Sequence, residues 1–140
     1  MATRAAAAGW LGQSVLRKED APLLTGRGQF IDDLEPVAGL RHAAILRSPH
    51  PHARIRAIDT SAAENLPGVI GVVTGAQIAQ VAGIIPSVVR SKMRFQVCAT
   101  TKARYCGEPV AVVVAVDRYV AEAALALIEV DYEPLPGVAP

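Results

Sequence analysis

The residues of this 140-residue chain whose types and spacing could do chemistry are three histidines, two cysteines, a pair of adjacent aspartates and a glutamate at the mouth of an apolar run. The stretch "LRSPHPHARI", Leu46 to Ile55, carries His50 and His52 as His-x-His, with Pro49 and Pro51 alternating between them. Proline restricts the residue before it, so Ser48 and His50 are pushed toward extended geometry. In an extended chain His50 and His52 point to the same side. Zinc accepts two such imidazoles, but a catalytic zinc takes three protein ligands. The remaining histidine, His42, shares a strand face with Leu40 and Leu46 and reads as a packed core residue. The pattern therefore favours a rigid turn that packs on a partner surface over a metal site.

The other candidates have plain readings too. In "TGRGQF" the third glycine of a dinucleotide fingerprint would fall at Ile31, and no clean strand precedes it, so the stretch reads as a flexible turn. Asp32 and Asp33 are adjacent and would face opposite ways in a strand, whereas paired carboxylate catalysis needs convergence on one bond. They read as a solvated turn. Glu108, in "YCGEPV", stands at the entry of the apolar strand 110–116, as a site residue or, more plainly, a loop polar group. Cys106 has no histidine near it in sequence to activate it, and both Cys98 and Cys106 read as small buried hydrophobes. Lys92 in "RSKMR" lacks the methionines that flank a carrier lysine. The residues alone show no catalytic constellation.

Bulk properties narrow the function classes. A formal net charge of +1, with fourteen basic residues scattered among thirteen acidic ones, argues against nucleic acid as a partner. Hydrophobic residues make up 51 % and charged residues 19 %, which is not a disordered composition. With 4 % aromatics, the core must rest on Val, Ile, Leu and Ala. The two cysteines form no CxxC pair, which fits a reducing compartment such as the cytoplasm. The longest apolar run, Val110 to Val116, is too short to span a bilayer. Residues 1–11 read as a disordered tail, and residues 12–140 as one domain.

The elements that must position these residues are legible by period. Residues 17–36 read as an extended segment with turns at Gly26, Gly28 and Pro36. "GLRHAAILR" is a strand with Leu40, His42, Ala44 and Leu46 on one face, and "RIRAIDT" is a second strand. Ser61 and Glu64 match a capping box for a short helix that stops at Pro67-Gly68. "VIGVVTG" reads as a buried strand and "AQIAQV" as a helical turn, with 83–104 as a long excursion holding one or two extended pieces. "PVAVVVAV" is a strand covered on both faces. Asp117 caps a helix to about Leu127, with Val120, Ala123, Ala124 and Leu127 on one face. "IEVDYE" alternates, with Ile128, Val130 and Tyr132 inward, and "PLPGVAP" is a Pro-rich extended end. The expected architecture is a mixed α/β (α+β) domain of about six strands and two or three helices, its strand–helix–strand unit at 110–132 forming a parallel crossover in a mixed sheet.

Taken in order, "RKEDAPLLTGRGQFIDDL", "GLRHAAILRSPHPHARIRAIDTSAAENLPGVIGVVTG" and "RYCGEPVAVVVAVDRYVAEAALALIEVDYEPLPGV" resemble the start of the molybdenum hydroxylase large subunit, of the xanthine dehydrogenase, aldehyde oxidase and carbon monoxide dehydrogenase family. The resemblance implies an α/β-hammerhead fold over residues 12–140. It implies a reaction class, in which an aldehyde, an N-heterocycle or carbon monoxide is oxidised with water as oxygen source. Molybdenum on a molybdopterin dinucleotide is the implied cofactor, with [2Fe-2S] clusters and FAD on partner subunits and none expected on this chain alone. The implied partners are the remainder of the large subunit and the iron–sulfur and FAD subunits. In the family the catalytic glutamate and most pterin-binding loops lie beyond the "DYEPLP" segment, and no position here matches them. No catalytic, cofactor-binding or metal residue is therefore assigned to this chain. For His50, His52 and Glu108 the resemblance implies packing and subunit contact. The chain then reads as an N-terminal domain or split subunit, structural in itself. The alternative is a non-catalytic interaction or assembly module of the same fold.

Overall fold

Hydrogen bonding in the amino-terminal part turns on Gly26. The computed structural model describes residues 14–34, 37–86 and 95–137, so the tail 1–11 and Lys92 lie outside the described residues. The chain divides into two compact units, Met1–Ala38 and Gly39–Pro140. In the first, helix α1 (Asp20–Leu24) replaces the expected extended segment. Pro22 sits within the first turn, where an intrahelical amide is not required. Gly26, at φ +68°, then ends the helix. The Arg27 amide donates to the Pro22 carbonyl at 2.8 Å and the Gly26 amide to the Leu23 carbonyl at 3.3 Å, the pair of bonds that defines a Schellman end. Asp32 and Asp33 lie on a 3-10 turn (Ile31–Asp33), where an Asp33 carboxylate oxygen accepts from the Phe30 amide at 2.9 Å. These are turn carboxylates, as their adjacency implies.

The second unit holds strands β1 (His42–Arg47), β2 (Ala53–Asp59), β3 (Val69–Thr74), β4 (Lys102–Ala103), β5 (Pro109–Ala115) and β6 (Glu129–Pro134). Helices α2 (Ser61–Glu64), α3 (Gly75–Val81) and α4 (Arg118–Leu125) connect them. The strands form two three-stranded sheets, β1-β5-β3 and β4-β2-β6. Every strand pairing among the described residues is antiparallel. This corrects the expected parallel crossover over 110–132. β5 is already paired on both edges, by β1 and β3, so no edge remains for the strand that follows α4. β6 pairs with β2 in the other sheet instead.

The core lies between the inner face of the first sheet, helices α2 and α4, and Ile58 and Val130 of the second sheet. Its centre is Ala63, Val72, Ala111, Val113, Ala124 and Ile128. Ala dominates this list because small side chains let the sheet and helix backbones approach closely. Asp117 caps α4 as expected, accepting from the Val120 amide at 2.8 Å. The helix ends at Leu125, and its buried residues are Ala121 and Ala124, with Leu127 38 % exposed. The buried stripe is thus rotated toward Ala121, because α4 faces the sheet at a shallow stripe of alanines rather than a Val–Leu ridge.

Two local expectations shift by one residue or one face. Ser61 is the first residue of α2, not its cap. The Asp59 carboxylate accepts from the Ser61 amide at 2.9 Å and from its hydroxyl at 2.6 Å. Those bonds hold the Asp59 carboxyl below the usual carboxylate range. Thr60 donates to the Glu64 side chain at 2.8 Å, four residues on, so the expected capping box does not form: the side chain of the cap, Thr60, bonds no amide of the first turn. β3 is an edge strand and not a fully buried one: Val72 is buried, but Ile70 is 54 % exposed.

Candidate functional site

The singled-out histidines and glutamate converge at the junction of the two sheets. β1 ends in a register shift between Leu46 and Arg47, and Ser48 follows, 2 % exposed. Backbone bonds continue the ladder past the strand: the Ser48 amide donates to the Glu108 carbonyl at 2.9 Å and the Gly107 amide to the Ser48 carbonyl at 2.8 Å. The Ser48 hydroxyl then turns the chain back on itself. It accepts from the His50 amide at 3.1 Å and donates to the His50 carbonyl at 3.0 Å. This is the rigid turn that the prolines imply.

The two imidazoles part company. The His50 ring packs on Tyr132 of β6, centroids 5.0 Å apart and planes tilted by 60°. His52 Nδ1 donates to the Pro136 carbonyl at 2.8 Å, which places the proton on Nδ1 because a carbonyl only accepts. Beside it the Leu135 amide donates to the His52 carbonyl at 2.9 Å, extending the β2–β6 pairing. His50 thus grips the middle of β6 and His52 grips its exit. His42, expected in the core, is half-buried beside Arg118 and Glu122 at the edge of β1.

Glu108 departs most from its plain reading. It is 1 % exposed. Its carboxylate accepts from the Arg104 amide at 2.6 Å and from Arg104 Nε at 2.9 Å, with a second guanidinium nitrogen on the same oxygen. The turn Tyr105–Glu108 brings these groups together. Its closing bond runs from the Glu108 amide to the Tyr105 carbonyl at 3.2 Å, and Gly107 takes φ +89° at the third position, where a type II turn needs a glycine. Arg47 donates to the Gly107 carbonyl at 2.9 Å. Glu108 is therefore the buried anchor of a turn that carries the chain from β4 to β5.

The cysteines separate as well. Cys98 is buried, 3 % exposed, and burial pushes its thiol pKa up, with the Glu108 charge adding to the shift and a bond to the Ala99 backbone opposing it. Cys106 is exposed, contrary to expectation, with its Sγ 3.6 Å from the Pro49 carbonyl. It sits at the second position of the Tyr105–Glu108 turn, whose side chain points to solvent. Burial also raises the Tyr132 phenol, while a hydrogen bond with Ser48 draws it down.

Chemically the arrangement is a polar brace. It ties the end of β1, the start of β2, the β4–β5 turn and the end of β6. The Glu108 oxygens are taken by Arg104, and the Cys98 thiol is held protonated. Among the described residues no three His, Cys, Asp or Glu side chains gather as metal ligands. Neither a molybdenum ion nor its pterin finds a matching donor set in the brace. Sequence reasoning missed Ser48, Arg104 and Tyr132 as brace members. The signal for Arg104 is its position four residues before Glu108, bracketing the glycine of a tight turn.

Two antiparallel three-stranded sheets with short helices on one face, joined by this brace, define an α/β-hammerhead domain. The chain belongs to the family described as aldehyde oxidase and xanthine dehydrogenase, a/b hammerhead domain, which matches residues 25–136. It is 41 % identical over 135 residues to the 6-hydroxypseudooxynicotine dehydrogenase complex subunit gamma of Paenarthrobacter nicotinovorans, covering 91 % of this chain and 17 % of that one. Among solved structures it resembles quinoline 2-oxidoreductase from Pseudomonas putida 86, with a TM-score of 0.76 and 46 % identity over 89 % of this chain and 16 % of that one. It also resembles the Cu,Mo-CO dehydrogenase in its carbon monoxide reduced state, with a TM-score of 0.71 and 40 % identity over 89 % of this chain and 16 % of that one. The chain therefore spans about one sixth of the length of the relatives it matches. No helix among the described residues is long and apolar enough to cross a membrane.

Proposed function

We propose that this chain is the N-terminal hammerhead part, as a domain or a split subunit, of a molybdenum-dependent hydroxylase or dehydrogenase that oxidises an aldehyde, an N-heterocycle or carbon monoxide with water. The family match over residues 25–136 carries the reading. In the complete enzyme molybdenum on a molybdopterin dinucleotide supplies the oxidation, with [2Fe-2S] clusters and FAD on partner subunits. This chain contributes no catalytic residue. Its part is structural: the brace of Ser48, His50, His52, Arg104, Glu108 and Tyr132 holds the two sheets in one geometry, on which the rest of the large subunit packs. The two free thiols suit a reducing cytoplasm.

The test is the native protein purified from its source, with its complex mass and its molybdenum and iron contents. Co-purification with larger polypeptides carrying both metals supports the reading. A metal-free 14.7 kDa species, stable and monodisperse alone, overturns it in favour of a non-catalytic assembly module.

A further inference from the structure

Charge is segregated along the outer face of the second sheet. Ile58 of β2 and Val130 of β6 pack against the core, so the residues that alternate with them face solvent. At one end of this face Arg54 lies directly opposite Lys102 of β4 on one side and Glu133 of β6 on the other. Arg56, at the irregularity in β2, reaches the same Glu133 with its Nε at 3.4 Å. Three cations thus share one carboxylate. At the other end Asp59 lies directly opposite Glu129, and Asp131 stands next along β6, across from Ala57. Three carboxylates gather there with no cation beside them on the face among the described residues. Glu133 is half-buried and the other charged residues of the face are exposed.

Like charges directly opposite across strands are destabilising, and this face holds one such pair at each end, of opposite sign: Arg54 with Lys102, and Asp59 with Glu129. The two ends lie about 15 Å apart along the strands. That exceeds the Debye length of about 8 Å at physiological salt, so neither end neutralises the other within one chain. A uniformly acidic or uniformly basic partner would satisfy one end and be repelled by the other. The occupant must carry the same two charges in reverse order, and a second copy does. A two-fold axis between two such faces, at right angles to the strands, lays the cationic end of each over the acidic end of the other. We infer that the outer face of the β4-β2-β6 sheet is the contact through which two copies of this chain associate. Three strands about 4.8 Å apart, over residues at about 3.4 Å spacing from Arg54 to Asp59, give a face of roughly 300 Å². That is well below the about 800 Å² that each partner gives to a stable complex. Charge rather than buried area therefore holds the pair, and the association is weak and salt-dependent. The inference goes beyond the functional reading above and does not depend on it.

The experiment is sedimentation equilibrium of the chain at up to about 1 mM, a range that still shows a dissociation constant of that order. The wild type is expected to form a dimer whose dissociation constant rises about tenfold or more between ~0.05 M and ~0.5 M salt, as screening shortens the reach of the charges. Two variants exchange the charges: Arg54→Glu/Arg56→Glu makes the face acidic at both ends, and Glu129→Lys/Asp131→Lys makes it basic at both. All four side chains are exposed, and circular dichroism confirms folding. Each variant alone should be monomeric at low salt, and an equimolar mixture of the two should recover a dimer. A wild type that stays monomeric throughout, a dimer indifferent to salt, or a mixture that stays monomeric overturns the inference. Each of these leaves the functional reading standing, because that reading rests on the family match. Should either variant fail to fold, the salt profile of the wild type decides by itself.

Discussion

Removing the Glu108 carboxylate should unseat the β4–β5 turn. Glu108→Ala deletes the acceptor of the Arg104 amide and of its guanidinium at once. Breaking a buried pair from one side costs about 3–5 kcal/mol, because the partner charge is left uncompensated. Glu108 is 1 % exposed, but the Arg104 side chain is 30 % exposed and recovers some hydration by turning outward. That places the loss at the lower end, about 3 kcal/mol. For a domain of this size it corresponds to a fall in Tm of roughly 10 °C. Glu108→Gln keeps the volume and one acceptor oxygen and should cost about half as much. The assay is urea unfolding of wild type, both variants, Arg104→Met and the double variant Arg104→Met/Glu108→Ala, with m-values compared. The cycle should show coupling above about 1 kcal/mol. A Glu108→Ala variant within about 1 kcal/mol of wild type at unchanged m, or a coupling near zero, would refute the reasoning.

Three further outcomes follow from single observations. Gly75→Ala places a Cβ 1.8 Å from the Ala99 carbonyl oxygen and 2.7 Å from its carbon, on a segment fixed by the Ala99 amide donating to Pro109 at 2.7 Å, so calorimetry should show a loss of about 3 kcal/mol. Asp117→Ala removes the cap of α4 and should lower stability by about 1 kcal/mol in denaturant, while Asp117→Asn should restore most of it. Stability should also fall at alkaline pH. The Cys98 thiol and Tyr132 phenol are raised in the folded chain, so the unfolded chain loses these protons first. The fall begins as pH passes the ordinary thiol value of 9.0 and steepens past the ordinary phenol value of 10.0. Denaturation against pH should lose its first limb in Cys98→Ala and its second in Tyr132→Phe; a flat profile in the wild type would disprove both shifts.

Apart from helix α1 and the cap of α2, most local structure was legible from the chain, and pairing was not. The period-two strands β1 and β6, the imperfectly alternating β2, the β5 run and the Asp117 cap follow from residue type and spacing. So does the stiffness of the Ser48–His52 turn, because prolines act on their immediate neighbours. What could not be read is which strand lies beside which. β5 and β6 look like a crossover until β1 and β3 are seen to occupy both edges of β5. Glu108 illustrates the same limit: its burial depends on the ladder from Ser48, far off in sequence, and on Arg104 folding over it. Cys106 reads as a buried small residue by type, yet its turn position leaves it exposed. The family resemblance added what neither period nor spacing carries, the hammerhead class itself.

The order of strands in the sheets also governs when this chain can fold during synthesis. β1 and β3 do not pair with each other; both wait for β5 to lie between them. β2 has only the two-residue β4 until β6 arrives. Until the ribosome has released the residues through Ala115, β1 and β3 therefore present unpaired edges, and β2 keeps an open edge until Pro134 has followed. Contacts so distant in sequence close slowly and leave nascent chains open to aggregation. A stalled or shortened transcript ending before Val110 would leave β1 and β3 with no strand to join, which makes the last third of the chain the timekeeper of the first sheet.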